Sequence, residues 1–343
     1  LVVVVVIVLL IVSSGKKSVS GPIKIGVIMP LTGDLAFLGE PGRKAAELAL
    51  ENFGDKKNKY QLIFEDDQFN ATKAATAANK LISVDKVQAI LTFGSSGGNV
   101  VNPLAEKNKI IHFGVASDPH VADGNYNFNH WTPPAEEVRA LVAELVKRNI
   151  SKIAIVTPNQ AGMKAITDEL KKQSLSANIQ VVNEQIHNIG DKDFRSLITK
   201  LNQGKPEIVV LTSYSPELEI LAKQMKDVGF KTPLTSIEGF DQTSEPALFN
   251  GYWYASASDP TGEFTKMFSE KTGGKVAFGT GNAYDIISLL VTAFENAKSS
   301  DTDKALNELY KIKDFKGAMG ALSIDSDGLV LSTATIKTVS VKK

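Results

Sequence analysis

From residue 23 onward, short apolar runs alternate with longer stretches in which apolar side chains recur every three or four positions. The runs at 23–29, 62–65, 89–93 and 110–113 contain no regular polar alternation, which predicts strands buried on both faces of a parallel sheet. Between them, 42–53, 71–84 and 100–107 carry helical spacing. A second series follows, with strands expected at 152–157, 179–182, 208–211 and 234–236 and helices at 163–173, 193–201 and 216–228. Repeated strand-helix-strand units predict right-handed crossovers. The opening strands of the two series, KIGVIMP from Lys24 and KIAIVTP from Lys152, are near copies. The fold expected is therefore α/β, with two similar Rossmann-like lobes built on parallel sheets.

Two breaks punctuate this pattern. His130-Trp131-Thr132-Pro133-Pro134 separates the series, since paired prolines enforce extended backbone and stop helices. Ala255-Ser256-Ala257-Ser258-Asp259-Pro260 precedes three more helical stretches, 264–272, 279–297 and 302–309, which have no strands of their own. Such helices are best used to cover a sheet already built. The chain is therefore expected to cross between lobes more than once, the last time near 321–325. The division that follows is a leader and linker at 1–20, a first lobe from 21–132 with 257–322, and a second lobe from 133–256 with 323–343.

Residues 1–12 are all aliphatic and are followed by Ser13-Ser14-Gly15-Lys16-Lys17. That is shorter than the roughly 20 residues of a spanning helix and matches the apolar part of a signal peptide, about 7–15 residues. Export to the periplasm or the extracellular face of the membrane is expected, with retention as an N-terminal tether left open. A buried strand is the competing reading. The 343 residues exceed what one compact core usually holds. With 38 basic against 38 acidic residues, no basic face for nucleic acid is expected. The absence of cysteine excludes disulfides, thiolate metal sites and cysteine nucleophiles.

Chemistry concentrates in five loops, each just beyond an apolar run: PLTGDLAFLG from Pro30, GSSGG from Gly94, GVASDP from Gly114, TSYSPE from Thr212 and IEGFD from Ile237. In open parallel sheets, ligands bind beyond the carboxyl ends of the strands. Gly94-Ser95-Ser96-Gly97-Gly98 opens onto the helix expected at Val100, so its backbone N–H groups are suited to a carboxylate. Ser95 and Ser96 also read as ordinary helix caps.

These loops, with Asp66-Asp67 after the second strand, resemble the periplasmic leucine/isoleucine/valine-binding protein family, the solute receptors of branched-chain amino-acid ABC transporters. The resemblance runs from Ile23 to the C-terminus. It implies two lobes, joined by three hinge crossovers, that close around an amino acid. It also implies a site: Ser95 on the ligand carboxylate with Ser96 as the fallback, Ser117 as a second hydroxyl beside Ala116, and the Val115 carbonyl facing the ammonium. Glu238 stands where the family pairs a carboxylate with that ammonium, and Tyr214 contacts the ligand through its backbone and walls the cavity with its ring. Ala161 stands where the family commonly has an aromatic, which implies a roomier pocket, while Phe37, Leu38, Phe240 and Tyr284 are expected to keep it apolar. Tyr284, early in a long apolar helix, also reads as core.

No enzyme pattern competes. His112, His120, His130 and His187 show no H-E-x-x-H spacing, no G-x-x-x-x-G-K-[ST] loop occurs, and Gly279-x-Gly281 lacks a third glycine. No catalysis, cofactor or metal is expected. The expected partners are an amino acid and a membrane permease of an ABC transporter, with the protein acting as a monomer. Alternatives are a receptor for an aromatic carboxylate or amide, a sensor acting on a membrane receptor, and a hydrolase, which would need a nucleophile-base pair.

Overall fold

The computed structural model describes residues 21–330 and 332–341, so the apolar run at 1–12 lies outside the described residues. The first lobe opens with β1 (Ile23–Met29), α1 (Ala36–Glu51), β2 (Tyr60–Asp66) and α2 (Ala71–Lys80). It continues with β3 (Ala89–Phe93), α3 (Ser95–Asn108), β4 (Ile111–Val115) and β5 (Asn127–Asn129). The five strands pair in parallel in the order β2-β1-β3-β4-β5. The order reverses between β1 and β3, which leaves a crevice at the carboxyl ends of those strands.

The second lobe comprises α4 (Pro134–Lys147), β6 (Lys152–Pro158), α5 (Ala161–Ser176), β7 (Gln180–His187), α6 (Arg195–Leu201), β8 (Ile208–Leu211), α7 (Glu217–Asp227) and β9 (Leu234–Ser236). Its strands pair in parallel in the order β7-β6-β8-β9. Every residue of β3, β4 and β8 is buried, as their unbroken apolar runs require.

The chain then forms β10 (Trp253–Ala257), α8 (Gly262–Thr272), α9 (Thr280–Ala297), α10 (Thr302–Leu309), the hairpin β11 (Phe315–Gly317) and β12 (Gly320–Leu322), and β13 (Ala334–Thr338). As expected of helices without a sheet, α9 packs on α1 and α10 on α9, covering the first sheet. β13 runs antiparallel to β10, and both pack against α4. Residues 321–325 still belong to the first lobe's side. Leu329 bridges Asn129, so the last passage lies beyond that bridge. The crossings are tied together: Thr132 Oγ1 and Ser332 Oγ are 2.9 Å apart, and Ser258 donates its N–H to the Thr333 carbonyl at 2.9 Å.

Three elements differ from expectation for physical reasons. Helix α1 begins at Ala36 rather than 42 despite Gly39 and Pro41, because Gly39 lets the helix pass so close to β1 that a Cβ there would meet the Pro30 carbonyl oxygen at 1.9 Å. Helix α3 begins at Ser95 rather than at Val100, so the GSSGG segment is the helix's first turn and not a loop before it. Helix α4 had no expected counterpart, although Pro134 at its start and Glu136 and Glu137 in its first turn suit a helix amino end.

Candidate functional site

A narrow cavity lies where the two sheets' carboxyl ends face each other. The first lobe contributes Gly94 and Ser95 after β3 and Val115, Ala116 and Ser117 at the end of β4. The second contributes Gln160 and Met163 at the start of α5, Tyr214 after β8, and Glu238 and Gln242 after β9. Phe69, Phe93, Trp131 and Phe278 complete the wall.

Glu238 is fully buried and has a φ of +59°, a strained value for a residue with a Cβ. The strain is held by the chain on either side. Its N–H donates to the Ala255 carbonyl at 3.0 Å, and Gly239 fits only because it lacks a Cβ, which would sit 2.3 Å from the Ser213 carbonyl oxygen. The carboxyl accepts from the Ser117 hydroxyl (2.7 and 2.8 Å to its two oxygens), from the Trp131 indole N–H (2.6 Å) and from the Gln242 amide (3.1 Å). Burial pushes Glu238 above the usual carboxylate range, while hydrogen bonds with Glu137, Ser117 and Trp131 pull the other way.

Opposite it, α3 starts at Gly94, whose φ is +88° and which supplies no capping side chain. A Cβ at Gly94 would lie 2.3 Å from the Phe69 ring. The first N–H groups of α3 lack helical acceptors, so a positive helix end faces the cavity beside Ser95. Ser95 Oγ accepts from the Asp118 N–H at 3.1 Å. Helix α5 meets α3 end to end: the Gln160 amide donates to Ser96 Oγ at 3.3 Å, and a Cβ on Gly162 would lie 2.4 Å from Ser95 Oγ. The Phe69 and Tyr214 rings meet edge-on at 5.7 Å across the same gap.

Ser95, Val115, Ala116, Ser117, Tyr214 and Glu238 are thus brought together, with two changes of detail. The Ser117 hydroxyl has one hydrogen and directs it to Glu238. The Val115 carbonyl already accepts from the Gly94 N–H at 2.9 Å. Ser96 lies beside the cavity on α3 rather than in its wall, and Ala161 is the first residue of α5, between the lining residues Gln160 and Met163. Phe37, Leu38, Tyr284 and Phe240 are elsewhere. Phe37 packs on the first lobe's core, within which Leu38 is buried. The Tyr284 hydroxyl accepts from Asn52 at 2.8 Å, and Phe240 stacks on Phe249 at 4.6 Å in the second core. Trp131 and Phe93 go unnoticed because they arrive from a break and a strand, and Phe278 because it sits in the turn before α9 rather than after a strand; the proline pair after Trp131 is the available signal.

His112 and His187 are buried and hydrogen-bonded. His112 is buried between Thr92 Oγ1 (2.8 Å) and Asn127 Oδ1 (2.9 Å), and burial lowers its pKa to about 4. Ser213 Oγ lies 2.8 Å from His187 Nε2, the spacing of a nucleophile and base, but both are buried outside the cavity wall. Among the described residues no group of acidic and histidine side chains could hold a metal, and no helix is long and apolar enough to cross a membrane.

Residues 22–340 match the model of the periplasmic binding protein family. The chain is 28% identical over 325 residues to Leu/Ile/Val-binding protein homolog 3 of Brucella melitensis, covering 89% of this chain and 88% of that one. It superposes with a TM-score of 0.82 on the branched-chain amino acid transporter substrate binding protein LivJ of Streptococcus pneumoniae in complex with isoleucine, at 22% identity, covering 93% and 96% of the two chains. A solute binding protein of an ABC transporter from Rhodopseudomonas palustris, in complex with 3,4-dihydroxybenzoic acid, gives 0.81 at 20% identity, covering 92% and 93%.

Proposed function

Because this chain belongs to the periplasmic binding protein family, we propose that it is an exported receptor that captures a neutral amino acid between its lobes and delivers it to the permease of an ABC transporter. The observation that carries the reading is the buried Glu238 carboxylate across the cavity from the uncapped α3 end. That pairing of an anion with a ring of backbone donors suits a zwitterion, the ammonium at Glu238 and the carboxylate at Ser95. The Ser117 hydroxyl then acts on the ligand through Glu238, which it holds. Between these poles Phe69, Phe93, Met163 and Phe278 form an apolar wall, which favours leucine, isoleucine, valine or a larger apolar side chain and disfavours charged ones, whose burial unpaired is costly.

In this reading the protein acts as a monomer without catalysis, and the lobes divide at the tied crossings, at 130–133, at 257–260 and beyond Leu329. An aromatic carboxylate is the second reading, favoured by the rings that line the cavity and by the dihydroxybenzoate-bound relative in fold. It leaves Glu238 without a cationic partner. A thermal-shift screen of the twenty amino acids and a set of benzoates separates the two, since ligand at a hundred times its Kd stabilises by about 2.7 kcal/mol. Stabilisation by benzoates and by no amino acid would reverse the choice.

A further inference from the structure

Glu137, in the first turn of α4 next to the first crossing, is fully buried yet takes no part in the cavity wall. It lies within hydrogen-bonding reach of Glu238. Neither of its oxygens accepts a well-formed hydrogen bond, and the Ala257 amide at the second crossing is the one backbone donor that favours its anion. Two carboxylates in contact in a dry site do not both ionise. Neutral donors are shared unequally between them: Ser117, Trp131 and Gln242 all point at Glu238. The charge therefore belongs on Glu238 and the proton on Glu137.

The surrounding charges agree. Asp241 adds a further negative field at Glu137 and is itself bound by the Tyr254 hydroxyl and by Lys337, which also pairs with Asp259. On the outer side of α4, Glu136 and Arg139 pair with each other. Among the described residues, the charges that act most strongly on Glu137 are those of Glu238 and Asp241, both negative.

We propose that Glu137 is a positioning residue for the ligand's ammonium, a neutral carboxylic acid that donates its proton to Glu238 and so holds the site at a single negative charge. The proposal rests on the ammonium reading above. At high pH the pair loses the shared proton and two buried anions repel. At low pH Glu238 is protonated as well and the ammonium loses its partner. The two steps belong to the pair, so affinity falls on both sides of a central range. Burial and the Glu238 charge raise Glu137. For a raised acid, the stability of its neutral form is fully present below its unfolded pKa and is lost as pH rises through the folded one.

Infrared spectra of the ligand-free protein test the assignment without any ligand. At neutral pH the difference between wild type and Glu137→Gln should contain the carbonyl band of a protonated carboxyl, and its absence overturns the proposal. Should Glu137→Gln fail to fold, Glu238→Gln serves instead: removing the neighbouring charge should lower the pH at which the band disappears, and an unchanged midpoint overturns it. Leucine titration by calorimetry from about pH 5 to 10 then reads function. Glu137→Gln should bind at neutral pH within about threefold of wild type, one neutral donor replacing another. It should keep the acid decline and lose the alkaline one, and an alkaline decline equal in both proteins refutes the role. If the band is present but no amino acid binds either protein, the proposed function fails while the proton remains assigned to Glu137.

Discussion

The two poles of the cavity are built by opposite means. The first lobe's pole is a helix end: Ser95, Gly94 and the free N–H groups of α3, none of which carries a full charge or needs a partner brought from far away. The second lobe's pole is a buried carboxylate on a strained backbone, and besides the proton proposed on Glu137 it draws donors from three other places, Ser117 on the first lobe, Trp131 at the crossing and Gln242 beyond β9. A dipole end costs little to keep in place. A buried charge is expensive unless every donor is present. The contrast teaches that the second pole should be the fragile one and should depend on how the lobes meet.

The largest effect should come from Glu238→Ala, which is expected to weaken amino-acid binding by roughly 2–5 kcal/mol, because the ligand's ammonium is left unpaired. Calorimetry showing unchanged affinity removes Glu238 from recognition. Trp131→Phe keeps an apolar ring but deletes the N–H donor to a charged acceptor, so a loss of about 1.5–3 kcal/mol in affinity is expected. A loss equal to that of Ser95→Ala would erase the asymmetry between the poles.

Gly162→Val tests the meeting of the lobes. Its side chain must enter the space of Ser95 Oγ, and overpacking of this kind costs about 1–3 kcal/mol. The cost should fall on ligand affinity and leave the melting temperature of the ligand-free protein near that of the wild type; the reverse pattern means that the contact is ordinary packing. The smallest effect belongs to Ser95→Ala, about 0.5–1.5 kcal/mol, since backbone donors of α3 remain. A loss above that of Trp131→Phe would make the helix-end pole the dominant one.

Much of the fold was legible because buried parallel strands leave largely apolar runs: β1, β3 and β8 fall where those runs lie. Helix starts were less legible. At α1 and α3, glycines and a proline that read locally as loop are overruled by tertiary contacts, Gly39 against Pro30 and Gly94 against Phe69. The polar half of the site was readable because each of its loops follows a strand. The apolar wall was not: Phe93 is a strand residue, Phe278 precedes α9 and Trp131 lies in a crossing, so their convergence is set by topology alone. Ala161 and Phe37 do not line it, for the related reason that following a strand does not fix which way a side chain turns on the first turn of the next helix. Glu137 had no signal at all, since one more acidic residue at a helix start looks like any other.

The end-to-end meeting of α3 and α5 has a consequence for how long the lobes stay shut. Two helix amino ends pressed together are like poles, and without an anion between them they push apart. A ligand carboxylate turns that repulsion into attraction on both sides at once. Under the proposed function the same atoms would serve as spring and as latch: the spring would reset the receptor after delivery, and the latch would engage only for cargo that brings its own negative charge.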